Sequence, residues 1–364
     1  MSVADLALQR NKYKHLSDDE WRWFLQQVEG KERTAEKLPT FASIPDFWYP
    51  VRLSCEQCSS ELAARYKASL VCGEKMADLT GGYGVDTYFL SENFAHTDYV
   101  EQNAELCRIA EHNFSIQHSA ISIHNTTAEE FLKTAGQYDL IFLDPARRDS
   151  HGGKVFRLED CTPNVADLLP TLLAHLTPEG RIMLKLSPML DLTQAISCLS
   201  QVTWDIYVVA IKNEVKELLL LSGGSGKITA IDLDKKDQAF VFTREEESNS
   251  PFNFHLSPFT FLYEPNSAIL KASAYKLIAQ RFHLLKLDVN THMYASDTLV
   301  PNFPGRVWRI TEKQDLKQAN ILCRNYPLTP DQLKKKLHLR DGGTAFVIGC
   351  RVAGKPTLFY AERV

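Results

Sequence analysis

Between about residues 74 and 222, short apolar runs alternate with stretches of helical period. The runs are KMADLT, TDYVEQ, SISIHN, YDLIFLD, GRIMLKLS, WDIYVVAI and KELLLLS, and segments such as NAELCRIAEHNFSIQH and DCTPNVADLLPTLLAHL lie between them. A strand whose successor arrives only after a helix returns to the sheet in the same direction. The rhythm therefore predicts an α/β fold with a mainly parallel sheet and helices on both faces. The last two runs are linked only by KNEV, too short for a crossover, and predict a terminal antiparallel hairpin.

The flanks read differently. Residues 1–70 look helical: Ser17 precedes an acidic first turn, and WRWFLQQVEG runs to Gly30, a plausible stop. A second helix is expected over about 56–70. After the α/β region (71–222) comes the turn-rich SGGSGK. Beyond it are a hairpin (KITAIDLD, AFVFTREEE), the strand FTFLY, a long helix over about 266–287 and the strands HMYAS and RVWRIT. The chain closes on the helix TPDQLKKKLHL and the hairpin TAFVIGCRV–AGKPTLFYAERV, a ferredoxin-like α+β rhythm divided here as 223–293 and 294–364.

No apolar run reaches the ~20 residues that span a bilayer, and the first residues lack a signal-peptide core. The eight cysteines are scattered, and the pair Cys55-x-x-Cys58 lacks a second pair or histidines at zinc spacing. The expectation is a cytoplasmic protein with no metal and no membrane partner. From Pro251 onward there are 16 Lys+Arg against 8 Asp+Glu, so a tail of net charge +8 follows a body of net charge −12. A basic tail on an acidic body suits a polyanionic partner such as a nucleic acid.

The strand KMADLT runs into Gly81-Gly82-Tyr83-Gly84 and then a helix, a Rossmann-like unit in which absent Cβ atoms let backbone approach a ligand. The dinucleotide pattern G-x-G-x-x-G fails, because Thr87 stands where the third glycine would be. Asp78 precedes the loop, and a carboxylate there repels a pyrophosphate but suits an ammonium. S-adenosylmethionine carries an ammonium beside its sulfonium. Thr80, Gly81, Gly82, Gly84 and Asp86 complete the expected cofactor loop. Glu101, 19 positions past Gly82, is placed to grip ribose hydroxyls, with Gln102 beside it. The loop after the third strand offers Ala128 and Glu129 to adenine, although an acidic helix start explains TAEE nearly as well.

The fourth strand ends in Asp144-Pro145-Ala146-Arg147-Arg148. In an open parallel sheet ligands bind beyond the C-terminal strand ends. Methyl transfer is an in-line displacement that needs alignment more than a strong base. Asp144 can accept a hydrogen bond from an amine, and Pro145 stiffens the loop and leaves its carbonyl as a second acceptor. Arg147 and Arg148 can hold a phosphate or stack on a base. An ordinary Asp-Pro turn with solvated arginines remains the plainer reading of this segment alone.

The series DLTGGYGVDT, VEQN, TAEEF and LDPARRD resembles the class I methyltransferase motifs. With LSCEQCSSELAARYKA and the tail RNYPLTPDQLKKKLHLRDGGTAFVIGCRV, it is similar to a bacterial group, found largely in Bacteroidetes, of S-adenosylmethionine-dependent methyltransferases with a C-terminal THUMP-like domain. The resemblance implies a class I core, a ferredoxin-like and THUMP-like tail, and RNA (tRNA or rRNA) as partner. It matches Asp78, Gly82 and Gly84 to the glycine loop, Glu101 to the ribose acid, and Asp144 and Pro145 to the reaction loop. It points to an exocyclic amine, guanine favoured, as acceptor. Two departures stand out. Ala146 and Arg147 replace the second proline and aromatic residue usual in amine methyltransferases, and Ser187 in KLSP stands where pyrimidine carbon methylation needs a cysteine. Lys334, Lys335, Lys336, His338, Arg340 and Arg351 are the candidate phosphate contacts of the tail. The competing readings are a methyltransferase of small molecules or proteins, and an RNA-binding protein with a vestigial core.

Overall fold

The computed structural model describes residues 3–116, 120–147, 158–251, 259–313 and 315–364. The chain forms two compact units, Met1–Trp204 with Leu219–Gly224, and Asp205–Leu218 with Ser225–Val364.

The first unit carries β1 (Gly73–Asp78), β2 (Phe94–Val100), β3 (Ile121–His124), β4 (Tyr138–Leu143), the two-residue strands β5 (Ala146–Arg147) and β6 (Cys161–Thr162), and β7 (Leu176–Leu186). Its sheet runs β7-β4-β1-β2-β3 with every one of these pairs parallel. Consecutive residues of β1 and β4, such as Met76, Ala77, Leu140 and Ile141, are all buried, so both faces are covered. The chain leaves β1 toward β2 on one side and returns as β4 on the other. The switch point therefore lies between β1 and β4, where Asp78 pairs with Phe142.

Helices before β1 pack onto this core. The helix Asp18–Thr34 opens with the capping box of Ser17 and Glu20. It does not stop at Gly30. That glycine lies inside the helix, where a Cβ would fall 2.2 Å from Tyr49 Cβ, so its role is close packing. The helix expected over 56–70 is two, Arg52–Gln57 and Glu61–Ala68, and the second is capped by Ser60. Asn113, in the helix Ala104–Ile116, takes the Trp48 N–H on its Oδ1 and donates its amide to the Trp48 carbonyl, which ties this region to the core.

The second unit contains all but the first residue of β8 (Trp204–Ile211), the first part of β9 (Glu214–Ser222), β10 (Lys227–Asp232) and β11 (Phe240–Thr243). Lys212 and Asn213 form the β8–β9 turn with φ of 52° and 59°, the paired left-handed backbone of a tight hairpin. The turn at 222–227 does not interrupt pairing: β10 lies parallel to β8, and β11 antiparallel to β10.

A seven-stranded sheet follows, ordered β13-β14-β12-β15-β18-β17-β16. Its strands are β12 (Phe261–Pro265), β13 (Leu285–Asp288), β14 (Thr291–Ser296), β15 (Gly305–Thr311), β16 (Asn320–Arg324), β17 (Ala345–Val352) and β18 (Lys355–Arg363). The long helix expected over 266–287 is instead two short helices, Ser267–Lys271 and Leu277–Arg281, followed by β13. Ser273 (φ 62°) and His283 (φ 52°) adopt left-handed backbone that ends each helix, a stop that no glycine announces. Glu264 on β12 is buried and clasped by Arg306 and Arg324, so this carboxylate is paired from two strands.

Candidate active site

The loop after β1 is built by Asp78 and the glycines. Asp78 is 1% exposed. Its Oδ1 accepts the Thr80 N–H at 3.0 Å, and its Oδ2 accepts the Thr87 hydroxyl at 2.5 Å, which folds the loop back on the strand end. The three glycines do different work. A Cβ at Gly81 would lie 2.1 Å from the buried Tyr99 ring. Gly84 (φ 82°) is the left-handed N-cap of the helix Val85–Ser91. Gly82 (φ 55°) has only the Thr80 carbonyl, 3.7 Å away, near the place a Cβ would take. Its missing side chain leaves a cradle in the wall of a cleft.

That cleft, about 290 Å³, is lined by Asp78, Thr80, Gly81, Gly82, Gly84, Asp86, Glu101, Gln102, Ala128, Glu129 and Asp144. Residues predicted from separate motifs thus meet at the switch point. Glu101 Oε2 accepts the Gly82 N–H at 2.9 Å and its Oε1 accepts the Asn103 N–H at 2.8 Å, so this acid also holds the loop in place. A carboxylate has further lone pairs for hydroxyl donors. Thr127, which also lines the cleft, caps the helix Ala128–Leu132, its hydroxyl accepting the Glu130 N–H.

Asp144 follows β4 directly, and its N–H donates to Thr80 Oγ1 at 2.6 Å, coupling the reaction loop to the glycine loop. Asp144 and Ala146 line the cleft with Pro145 buried between them. Ala146–Arg147 pair antiparallel with Cys161–Thr162, which pins the loop, and Thr162 and Pro163 also face the cleft. Arg148 and the side chain of Arg147 lie outside the described residues.

Several site residues carried no motif. Lys185 Nζ is 2.6 Å from Asp144 Oδ2 and 3.3 Å from Asp86 Oδ2. Lys67, fully buried, is 3.1 Å from Asp86 Oδ1, and Ser59 donates to Asp86 Oδ2 at 2.8 Å. Asp86, expected among the ligand contacts, has its carboxylate committed to Ser59, Lys67 and Lys185. Ser54 and Gln57 of the helix Arg52–Gln57, with Cys58 and Ser59 just past its end, supply a wall of the cleft. Cys55 is buried, and burial pushes its thiol up to about 12, so it packs as an inert thiol.

The two main acids differ electrically. Burial, with the Asp86 and Asp144 charges adding to it, pushes the Asp78 carboxyl up to about 7 against the hydrogen bonds of Thr87 and Thr80. Asp86 is held down at about 2: burial opposes ionisation, but Lys67 and Lys185 overcome it. The cleft therefore holds one buried carboxylate whose neighbouring charges repel it and one that is fully compensated.

In the tail, the helix Pro330–Lys336 has the capping box of Thr329 and Gln332. Lys335, Lys336, His338 and Arg340 are exposed. Lys334 is engaged instead, 2.6 Å from Asp341 and 3.3 Å from Asp331, and Arg351 donates to the Gly354 carbonyl.

A Rossmann-like parallel sheet with an acid, a glycine bend, a second-strand acid and an Asp-Pro elbow at its switch point defines a class I methyltransferase core. The chain is 32% identical to a candidate methyltransferase of solved structure from Porphyromonas gingivalis W83, with a TM-score of 0.86 over 96% of this chain and 92% of that one. An otherwise uncharacterised S-adenosylmethionine-dependent methyltransferase of Mycobacterium tuberculosis H37Rv is 21% identical over 91% of this chain and 92% of its own length. The ferredoxin-like domain model matches residues 261–304 and the THUMP domain-like model residues 305–363. The chain belongs to the class I S-adenosylmethionine-dependent methyltransferases with a C-terminal THUMP-like domain. Among the described residues no helix is long and apolar enough to cross a membrane.

Proposed function

We propose that this methyltransferase acts on RNA, tRNA or rRNA, and that its acceptor is an exocyclic amine, with guanine favoured. The observation that carries the site assignment is Asp78, a buried carboxylate opening on the cleft with like charges beside it. Such a group favours a ligand that brings its own cation. S-adenosylmethionine fits: Asp78 would take its ammonium, Glu101 its ribose hydroxyls and the Ala128–Glu129 turn its adenine, with the backbone of Gly81 and Gly82 alongside. When bound, it supplies a methyl group activated by the adjacent sulfonium.

The protein's own groups then do the rest. Thr80 fixes the backbone of Asp144. The Asp144 carboxylate accepts a hydrogen bond from the acceptor amine, orients its lone pair along the line of displacement, and takes up the proton the nitrogen sheds. The carbonyl of Pro145 offers a second acceptor. RNA as the substrate class rests on the basic tail and the THUMP-like match over 305–363. The test is transfer of labelled methyl to RNA from cells lacking the gene, followed by mass spectrometry of the nucleosides. A methylated guanine amine is expected. Label that resists RNase, or none in any RNA pool, would overturn the proposal.

A further inference from the structure

Four ionisable side chains form a chain of alternating charge through the first unit: Lys67, Asp86, Lys185 and Asp144. They come from four elements. Lys67 lies on the helix Glu61–Ala68, Asp86 in the first turn of Val85–Ser91, Lys185 near the end of β7, and Asp144 just past β4. Lys67 is 0% exposed and the Lys185 side chain only 12%. Burying such charges costs several kcal/mol per ion, roughly, and apolar side chains of similar volume would serve stability as well or better. The chain ends on the one carboxylate placed to meet an acceptor.

We propose that Lys185 is a positioning residue for Asp144: its ammonium holds Oδ2 at 2.6 Å and so turns Oδ1 toward the acceptor. This rests on the reading of Asp144 as the acceptor-facing acid. Asp86 anchors Lys185 from behind, and Lys67 and Ser59 fix Asp86, so the direction of the Asp144 carboxylate is set by the buried interior. Among the described residues no hydrogen bond or ion pair engages Asp144 Oδ1, and the group lines the cleft. Among the described residues the charges facing Asp144 are Lys185 from β7, Asp86 from behind it and Asp78 from β1. Without Lys185, two carboxylates would push Asp144 away from its present direction.

The experiment is a double-mutant cycle on the full-length protein with labelled donor and RNA. Lys185→Met is expected to lower kcat by about 100-fold, the order of loss for a reacting group displaced by an ångström, with the KM for RNA and the Kd for S-adenosylmethionine unchanged. Lys185→Arg should recover most of the loss. In an Asp144→Asn background Lys185→Met should cost little more, because the carboxylate it directs is gone. A crystal structure of Lys185→Met should show the Asp144 carboxylate rotated away from its present direction, a readout that does not depend on turnover. An equal loss in both backgrounds, a loss confined to KM, or an unmoved Asp144 in that crystal structure would overturn the proposal. An unmodified protein that transfers no methyl to RNA would instead overturn the proposed function, and the crystal structure would still decide the role of Lys185.

Discussion

Asp78 is the residue on which most of the site's electrostatics turns. Its carboxyl titrates near 7 because burial and two neighbouring carboxylates oppose its charge. The direction of the shift fixes two opposite pH effects. The folded, empty protein binds this proton more tightly than the unfolded chain, so Asp78 adds stability at acidic pH that is lost as pH rises from about 4 to about 7. A cationic ligand needs the ionised form, so donor binding runs the other way. Affinity for S-adenosylmethionine should fall by up to about tenfold per pH unit below 7 and level off above it, the slope of one proton competing with one ligand. Calorimetric titration from about pH 5.5 to 8 reads this directly, and Asp78→Asn should bind weakly with a flat profile. An unmodified protein with pH-independent affinity would remove Asp78 from the ammonium site.

At the scale of elements, the glycine loop separates packing from ligand binding within two adjacent positions. Gly81→Ala drives a methyl into the Tyr99 ring, which is fully buried, and should cost about 1–3 kcal/mol of stability as overpacking does. Gly82→Ala meets nothing closer than 3.7 Å. Its strain is about 1–2 kcal/mol for left-handed backbone, but its methyl enters the cleft. It should lose donor affinity out of proportion to its stability, while Gly81→Ala should show the reverse. Denaturant melts and donor titrations on both variants check the contrast, and equal effects on both would remove it.

The same loop shows what could be read from the sequence. Local order of motifs was enough to bring Asp78, Gly82, Glu101 and Asp144 to one cleft, because in a parallel sheet strand ends on one edge necessarily converge. The hairpin KNEV was legible from its length. Lys67 and Lys185 were not, since each sits in a segment whose pattern is already explained, one on a helix and one in an apolar strand. A charge inside IMLKLS was the available signal, and only the packing of Asp86 against both lysines gives it meaning. Likewise Ser273 and His283 break the expected long helix by backbone conformation that residues other than glycine seldom announce.

The whole molecule joins an acidic body to a basic tail, and that asymmetry has its own consequence. Counterion release makes polyanion binding fall with salt at a log–log slope set by the number of phosphates neutralised. Contacts come only from cations not already satisfied within the protein. Lys335 and Arg340 are exposed, whereas Lys334 is held by Asp341 and Asp331, which raise its affinity for its proton and occupy its donors. The double variant Lys335→Ala/Arg340→Ala should weaken RNA binding and reduce the salt slope by about 2, one for each lost phosphate contact. Lys334→Ala should change the slope by less than one such contact, since its charge is already answered by two carboxylates. Filter binding across a salt series distinguishes them. If Lys334→Ala flattens the slope as much as the double variant does, the carboxylate pairs release their lysine on binding, and the exposed cations are not what sets the tail's grip.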